Sequence, residues 1–327
     1  LTIATLIAAG RLDESLLHGA LDRLSAAGLA AEVSSWIDEG DAVDLAIAGG
    51  GEAIRSALEG WESVDIIPHA DGDRSKRLFV ADMDSTMIGQ ECIDELADYA
   101  GVKPQVADIT ERAMRGELDF GGALAERVAL LRGLDENVIG RCLTERVSPN
   151  PGAATLVGTL NARDVTTVLV TGGFTAFAEP VARDLGYAYV YANRLEVEKG
   201  KLTGRTVGGI VDGARKASVL RETKESLQLG RSQTMAIGDG ANDSAMIKLA
   251  GLGIGYRPKP ALAEVADAVL LNHSLDALLW SLGIPARIGS SAASAPALRN
   301  RPGRALGGAC TRRMLRRDWR RGRPGGG

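Results

Sequence analysis

Two carboxylates one residue apart, Asp82 and Asp84, follow the short apolar run Leu-Phe-Val-Ala at residues 78–81. Four apolar residues in a row read as a buried strand, and carboxylates at the point where such a strand spills into a loop serve no packing purpose. A polar loop can carry such a pair without any chemistry. The functional alternative is phosphoryl transfer. One carboxylate can attack phosphorus and hold it as an aspartyl phosphate, dividing one hard hydrolysis into two steps. The other can protonate the leaving oxygen and later take a proton from the attacking water. Mutual repulsion raises the proton affinity of the acid, and a bound cation lowers it.

Three later elements supply what such a site needs. Thr171-Gly172-Gly173 follows the apolar run Thr166–Val170 and reads as a glycine turn. There backbone N–H groups can approach an anion closely, and the Thr hydroxyl adds a donor; an ordinary tight turn fits the same residues. Lys216, at the start of a helix predicted over Ala214–Leu227, is a compact cation able to neutralise phosphoryl charge. A solvated surface lysine fits it too. Gly238-Asp239-Gly240-Ala241-Asn242-Asp243 follows the apolar Met235–Ile237. One or two of its carboxylates with Asp82 would suit Mg²⁺, which takes oxygen ligands and keeps several waters. Asp-Gly-Asn clusters also form plain turns, and the spacing of a calcium-binding EF-hand loop is absent.

These loops need a scaffold that brings strand ends together. Beyond residue 77, apolar strand runs alternate with helical stretches: strands at 78–81, 166–170, 234–237, 253–254 and 268–271, helices at 177–185 and 214–227, and a hairpin over Leu195–Thr206 turning at Lys199-Gly200. Between the first two strands lies a long helical stretch, Glu91 to Leu143, interrupted by Gly101, Gly116, Gly121-Gly122 and Gly133. That alternation predicts an α/β fold, a doubly wound parallel sheet with a helical insertion after its first strand. Ligands bind such sheets outside the carboxyl ends of the strands, where all four elements fall. Residues 1–75 read separately as β-α-β-β-α-β: strands at Thr2–Ala8, Ala31–Ile37, Asp44–Ala48 and Val64–Pro68, helices at Leu16–Ala27 and Glu52–Leu58. This is the order of a small ferredoxin-like α+β sandwich. Its role reads equally as packing or homodimerisation and as ligand binding. Asp71–Lys76 reads as a polar linker.

The formal charge of −4 conceals an asymmetry. From Arg287 onward there are eleven arginines and one acidic residue, Asp318, leaving 27 basic and 41 acidic residues before it. An acidic body argues against nucleic acid as a partner and fits recruitment of a divalent cation. The Arg/Gly/Pro-rich run 287–327 lacks apolar periodicity and reads as a basic, disordered tail. No stretch is long and apolar enough to span a membrane, and no leader-like segment opens the sequence, so a soluble, cytoplasmic protein is expected. Cys92, Cys142 and Cys310 are too scattered for a disulfide framework or zinc cluster. Cys92 reads as a small buried hydrophobe, and His18, His69 and His273 belong to no evident constellation.

Taken in order, the four elements resemble the haloacid dehalogenase-like hydrolase superfamily: DMDST its first motif, the TGG segment its second, Lys216 its third and GDGAND its fourth. The resemblance covers residues 77–280. Within it, DMDSTMIGQECIDELADYAG, LDFGGALAERVALLRGL, VTGGFTAFAEPVARDLG, ANRLEVEKGKLTG and AIGDGANDSAMIKLAGLGI are similar to the phosphoserine phosphatase family. The resemblance implies a phosphatase domain over 77–286 with a helical cap over about 91–148. It implies Mg²⁺-dependent hydrolysis of O-phospho-L-serine through an aspartyl phosphate, the last step of serine biosynthesis. Asp82 would be the nucleophile and Asp84 the general acid/base. Mg²⁺ would be held by Asp82, the Asp84 carbonyl and Asp239, with Asp243 supporting the loop. Thr171, Gly172 and Lys216 would take the phosphate, with Asn242 nearby. In the cap, Glu91 would meet the substrate ammonium, Arg127 its carboxylate, and Phe120 would shield the pocket. The family usually has Ser where this chain has Thr171. The N-terminal unit is similar to ACT-like modules found before some bacterial members, which implies a regulatory ligand such as serine. Two rivals stand beside this reading: a phosphotransferase passing phosphate from phosphoserine to an alcohol such as homoserine, and a non-catalytic receiver or amino-acid sensor. Asp84 and the long insertion speak against the second.

Overall fold

The computed structural model describes residues 1–58, 60–69, 74–114 and 117–285. The basic run from 287, Cys310 and residues 71–73 of the expected linker lie outside them.

The N-terminal elements are β1 (Thr2–Ile7), α1 (Glu14–Ala26), β2 (Ala31–Asp38), β3 (Ala42–Ile47), α2 (Gly51–Leu58) and β4 (Asp65–His69). The strands form an antiparallel sheet in the order β2-β3-β1-β4, as the β-α-β-β-α-β pattern predicts. Leu6, Leu24, Leu45, Ile47 and Ile54 are buried together in its core. Helix α1 begins two residues earlier than its apolar pattern suggests. The Asp13 side chain accepts the Leu16 N–H at 2.8 Å and so satisfies a donor of the first turn.

Next come β5 (Leu78–Ala81), α3 (Cys92–Tyr99), α4 (Lys103–Met114), α5 (Phe120–Leu130), α6 (Asn137–Glu145) and α7 (Ala153–Ala162). They are followed by β6 (Thr166–Phe174), α8 (Thr175–Leu185), β7 (Tyr189–Glu198), β8 (Lys201–Val207), α9 (Gly213–Ser226) and β9 (Thr234–Gly238). Helix α10 (Ser244–Leu249), β10 (Leu252–Tyr256), α11 (Pro260–Ala263), β11 (Ala268–Leu270) and α12 (Leu278–Ser281) complete the described residues. The sheet order is β11-β10-β9-β5-β6-β7-β8, with β5 near its middle. Strand β5 is apolar on both faces because each meets a core: Phe79 and Ala81 belong to one, Leu78 and Val80 to the other.

Four features differ from expectation. The sheet is parallel from β11 to β7, but the edge strand β8 runs antiparallel to β7, making it mixed. The two-residue turn between them, Lys199 (φ 52°) and Gly200 (φ 75°), has the left-handed geometry that matches strand twist and leaves no room for a crossover. Helix α7 adds an element to the expected set, burying Ala153, Leu156, Val157 and Leu160 on one stripe. Residues 74–76 are docked between the two sheets' domains: Arg74 Nη2 lies 2.6 Å from Asp44 Oδ1, and Lys76 Nζ donates to the Ser232 carbonyl at 2.6 Å. His273 has a constellation after all. Its Nδ1 lies 2.7 Å from Asp65 Oδ2, and its Nε2 accepts the Ala9 N–H at 3.1 Å. The two His273 contacts join segments more than 200 residues apart.

Candidate active site

The ends of β5, β6 and β9 lie side by side, Ala81 opposite Leu169 on one flank and Ile237 on the other. Asp82 and Asp239 thus leave neighbouring strands at the same level, and the Asp82 N–H still donates to the Ile237 carbonyl at 3.0 Å. Asp82 is 4% exposed, Lys216 1% and Asp243 fully buried. Lys216 Nζ sits 2.7 Å from Asp82 Oδ1 and 2.7 Å from Asp243 Oδ1. Its position follows from the cap of α9: the Asp212 side chain accepts the Arg215 N–H at 2.8 Å, fixing where the helix starts. Asp82 Oδ1 also accepts the Met83 N–H at 2.7 Å, while Oδ2 has no hydrogen-bond partner among the described residues. One oxygen of Asp82 is held and the other is available.

Asp243 Oδ2 accepts the N–H groups of Asp239 and Gly240, each at 3.2 Å, and this shapes the loop. Carboxylate oxygens of Asp82, Asp239 and Asp243 lie within 4.8 Å of one another. Three convergent carboxylates with a single buried lysine between two of them are an oxygen-only donor set, which suits a hard divalent cation. Thr86 Oγ1 reaches Asp239 Oδ1 at 3.5 Å, and Lys259 Nζ lies 3.1 Å from Asp239 Oδ2.

The Asp84 carboxylate points away from this cluster. Its Oδ1 accepts the Cys92 N–H at 3.1 Å, and its Oδ2 accepts the Thr171 hydroxyl at 3.2 Å. Thr171 Oγ1 in turn accepts the Gly173 N–H at 2.8 Å. Here the expected tight turn is corrected. Thr171–Gly173 continues β6 in extended form, and neither glycine has a positive φ. Glycine is required by close approach: a Cβ on Gly172 would stand 2.8 Å from Phe120 Cζ, and one on Gly173 2.5 Å from Asp84 Oδ2.

Phe120 therefore brings the start of α5 down onto β6, and Asp119 caps that helix through the Gly122 N–H at 2.6 Å. Arg127 lies in the last turn of α5, its Nε donating to the Ala123 carbonyl at 3.2 Å. Glu91 precedes α3 and accepts the Ser85 hydroxyl at 2.7 Å. Burial depresses the Arg127 pKa, against the attraction of Asp94 and Glu91. Glu91 thus lies beside the Asp82–Asp84 loop, and Arg127 lies within electrostatic reach of Glu91. Asn242 sits between the Asp239 loop and α9, its backbone carbonyl 2.6 Å from where a Cβ on Gly213 would stand.

Burial raises the pKa values of Asp82, Asp84 and Asp239. Asp243 adds to the effect at Asp82 and Lys216 opposes it; at Asp84 the Cys92 and Thr171 hydrogen bonds oppose it. Burial alone would lower the Lys216 pKa, but Asp243 and Asp82 hold it above the ordinary lysine value. Glu91 is pushed up to about 7, by burial first and then by Asp84. These are groups whose protonation the protein environment has reset. Asn193, Thr86, Lys259 and the Cys92 N–H have no role in the sequence-based expectation, although Thr86, Cys92 and Asn193 fall within segments that resemble the family. Thr86, two residues beyond Asp84 in the same loop, is the one that proximity in sequence could have suggested.

The haloacid dehalogenase-like hydrolase family matches residues 79–248. A probable phosphoserine phosphatase of Schizosaccharomyces pombe is 47% identical over 231 residues, which are 69% of this chain and 77% of that protein. Phosphoserine phosphatase SerB2 of Mycobacterium tuberculosis is 48% identical over 211 residues, 64% of this chain; the chain spans about half of that relative, 51%. Among solved structures, a phospho-aspartyl intermediate analogue of phosphoserine phosphatase is 36% identical with a TM-score of 0.58, covering 63% of this chain and 98% of that one.

Proposed function

The chain belongs to the haloacid dehalogenase-like hydrolases, and from that premise we propose that it hydrolyses O-phospho-L-serine to L-serine and phosphate, with Mg²⁺ and through an aspartyl phosphate on Asp82. The observation that carries the chemistry is the division of labour between two carboxylates at one strand end, Asp82 buried and Asp84 half-buried. Asp82 faces Lys216 and the acidic cluster, with Oδ2 available; Asp84 faces the Thr171 hydroxyl and the Cys92 N–H. The relatives named as phosphoserine phosphatases support the substrate.

Asp82 Oδ2 attacks phosphorus, and the phosphorus–seryl oxygen bond breaks as Asp84 donates a proton to that oxygen. Burial supports this role by keeping Asp84 protonated to higher pH than an exposed carboxylate. Asp84 then takes a proton from water as it attacks the phosphoaspartate, releasing phosphate and restoring Asp82. Lys216 offsets phosphoryl charge while holding Asp82 in place. The Thr171 hydroxyl, turning its hydrogen from Asp84 Oδ2 to the ligand, and the Gly172 N–H donate to the phosphoryl oxygens, with Asn242 beside them. Asp82, Asp239 and Asp243, with the Asp84 carbonyl, would hold Mg²⁺, which supplies positive charge to the transferring phosphoryl group when bound. Glu91 receives the substrate ammonium and Arg127 its carboxylate, so the cap reads the zwitterion, while Phe120 closes over Gly172 and excludes water.

Phosphate release from phosphoserine with and without Mg²⁺ tests the proposal, with other phosphate esters in parallel. Release confined to Mg²⁺ and strongest for phosphoserine is expected. Inert phosphoserine beside cleaved alternatives would defeat the substrate assignment, and phosphohomoserine formed on adding homoserine would replace hydrolysis with transfer.

A further inference from the structure

Asn193 lies in β7, 1% exposed, with both ends of its side-chain amide engaged. Its Nδ2 donates to the Gly172 carbonyl at 2.8 Å, and its Oδ1 accepts the Val211 N–H at 2.8 Å. A buried amide is costly unless satisfied; this one is satisfied by the backbone of two different elements. The strand pairing explains the arrangement. β6 and β7 pair regularly up to Val170 opposite Tyr191, then resume at Phe174 opposite Asn193. Over that interval β6 advances four residues and β7 two, so the Thr171–Gly173 segment bulges from the ladder. Asn193, where pairing resumes, supplies a side-chain donor to the bulge.

From the bulge, directed bonds lead to Asp84. The Gly172 carbonyl and the Gly173 N–H belong to one peptide unit; the first faces Asn193 and the second faces Thr171 Oγ1. With that N–H donating to it, the Thr171 hydroxyl turns its own hydrogen to Asp84 Oδ2. On the other side, Val211 directly precedes Asp212, the cap that sets Lys216. We infer that Asn193 is a positioning residue of the anion site, fixing the 172–173 peptide against the start of α9 and thereby aiming the Thr171 hydroxyl. The inference rests on the phosphatase reading above.

Asn193→Asp keeps the size of the side chain and its acceptor for Val211, but sets an acceptor against the Gly172 carbonyl. It should lower kcat/KM for phosphoserine about 100-fold, the scale of a small misplacement of reacting groups. Inhibition by inorganic phosphate should weaken about tenfold, as for loss of one hydrogen bond's worth of ordering. Mg²⁺ affinity by calorimetry should stay within about twofold, because Asn193 shares no partner with Asp82, Asp239 or Asp243. Unchanged kinetics and phosphate inhibition overturn the inference. Loss of Mg²⁺ affinity in parallel overturns it too, since that marks a merely structural role. A wild-type readout needs no variant: the amide resonances of Gly173 and the Asn193 side chain should move when phosphate is added with Mg²⁺. If they stay still, the assignment fails whether or not a variant folds. Wild-type protein that neither cleaves phosphoserine nor binds phosphate defeats the phosphatase reading itself, and this inference with it.

Discussion

Lys216 Nζ lies 2.7 Å from Asp243 Oδ1, deep enough that the lysine is 1% exposed and the aspartate fully buried. The same nitrogen is 2.7 Å from Asp82 Oδ1, so one cation serves the proposed nucleophile and the acidic Asp239–Asp243 loop together. Removing it leaves two buried carboxylates without their counter-charge. Lys216→Met should therefore destabilise the metal-free protein by about 3–5 kcal/mol. The comparison is urea unfolding in chelator. A change no larger than that of an exposed lysine variant contradicts the buried bridge.

Asp82→Asn retains shape but loses nucleophilicity. Turnover should fall at least about 10³-fold, and acid-quenched protein should carry no trapped phosphate. The circular dichroism spectrum should remain that of wild type. Full turnover in this variant would remove Asp82 from the mechanism.

Glu91 carries a pH signature. Its pKa in the folded protein is about 7 against an ordinary 4.5, raised by burial and then by Asp84. Between those values the folded protein holds a proton that the unfolded chain has released, so this group's contribution to stability falls as pH rises through the window. Below about 4.5 and above about 7 it is flat. Glu91→Gln removes the slope. In metal-free protein, the variant's stability should gain on wild type as pH rises through the window, read from paired urea midpoints. A constant difference between the two proteins across it would contradict the shift.

The cap meets β6 at Phe120 and Gly172, where an added Cβ would stand 2.8 Å from the ring. Gly172→Ala should push the ring away and lower kcat/KM about tenfold, since a closing element that seats badly admits water and misplaces substrate. Phe120→Ala in the same chain should return part of that loss, a non-additivity that a double-mutant cycle reads directly. Strict additivity would place the effect elsewhere.

The three carboxylates within 4.8 Å repel one another until a divalent ion binds. Mg²⁺ should raise the thermal midpoint, with stabilisation of about 2.7 kcal/mol at a hundredfold excess over its Kd. Chelation should reverse the gain, and Asp239→Asn should abolish it. An equal Mg²⁺ shift in that variant would take Asp239 out of the cation site.

Much of the scaffold was legible along the chain. The β-α-β-β-α-β order, the alternation after residue 77, the helical insertion and the Lys199-Gly200 hairpin are local patterns written in apolar period and turn residues. The edge strand β8 is legible as half of a hairpin, whose two-residue turn makes it antiparallel to β7 in an otherwise parallel sheet. The Thr171-Gly172-Gly173 segment reads as a turn because strand-Gly-Gly turns are common in α/β proteins. Here the glycines serve approach by Phe120 and Asp84 to an extended strand. Residues 74–76 read as a polar linker because nothing local names Asp44 or Ser232 as their partners.

From its sequence alone, the chain determines which side chains stand at strand ends: Asp82 and Asp84 after one apolar run, Asp239 and Asp243 after another. Residue type and local period suffice for that, since both are properties of neighbours in the chain. Lys216 bridging Asp82 and Asp243, Asp84 turning to Thr171 rather than to the acidic cluster, and Asn193 holding the bulge in β6 were decided by folding in three dimensions. Each depends on the order β9-β5-β6-β7, which brings together residues 18 to 161 positions apart. That order is set by burying both faces of the sheet against separate cores, a condition on the whole chain that no single segment records.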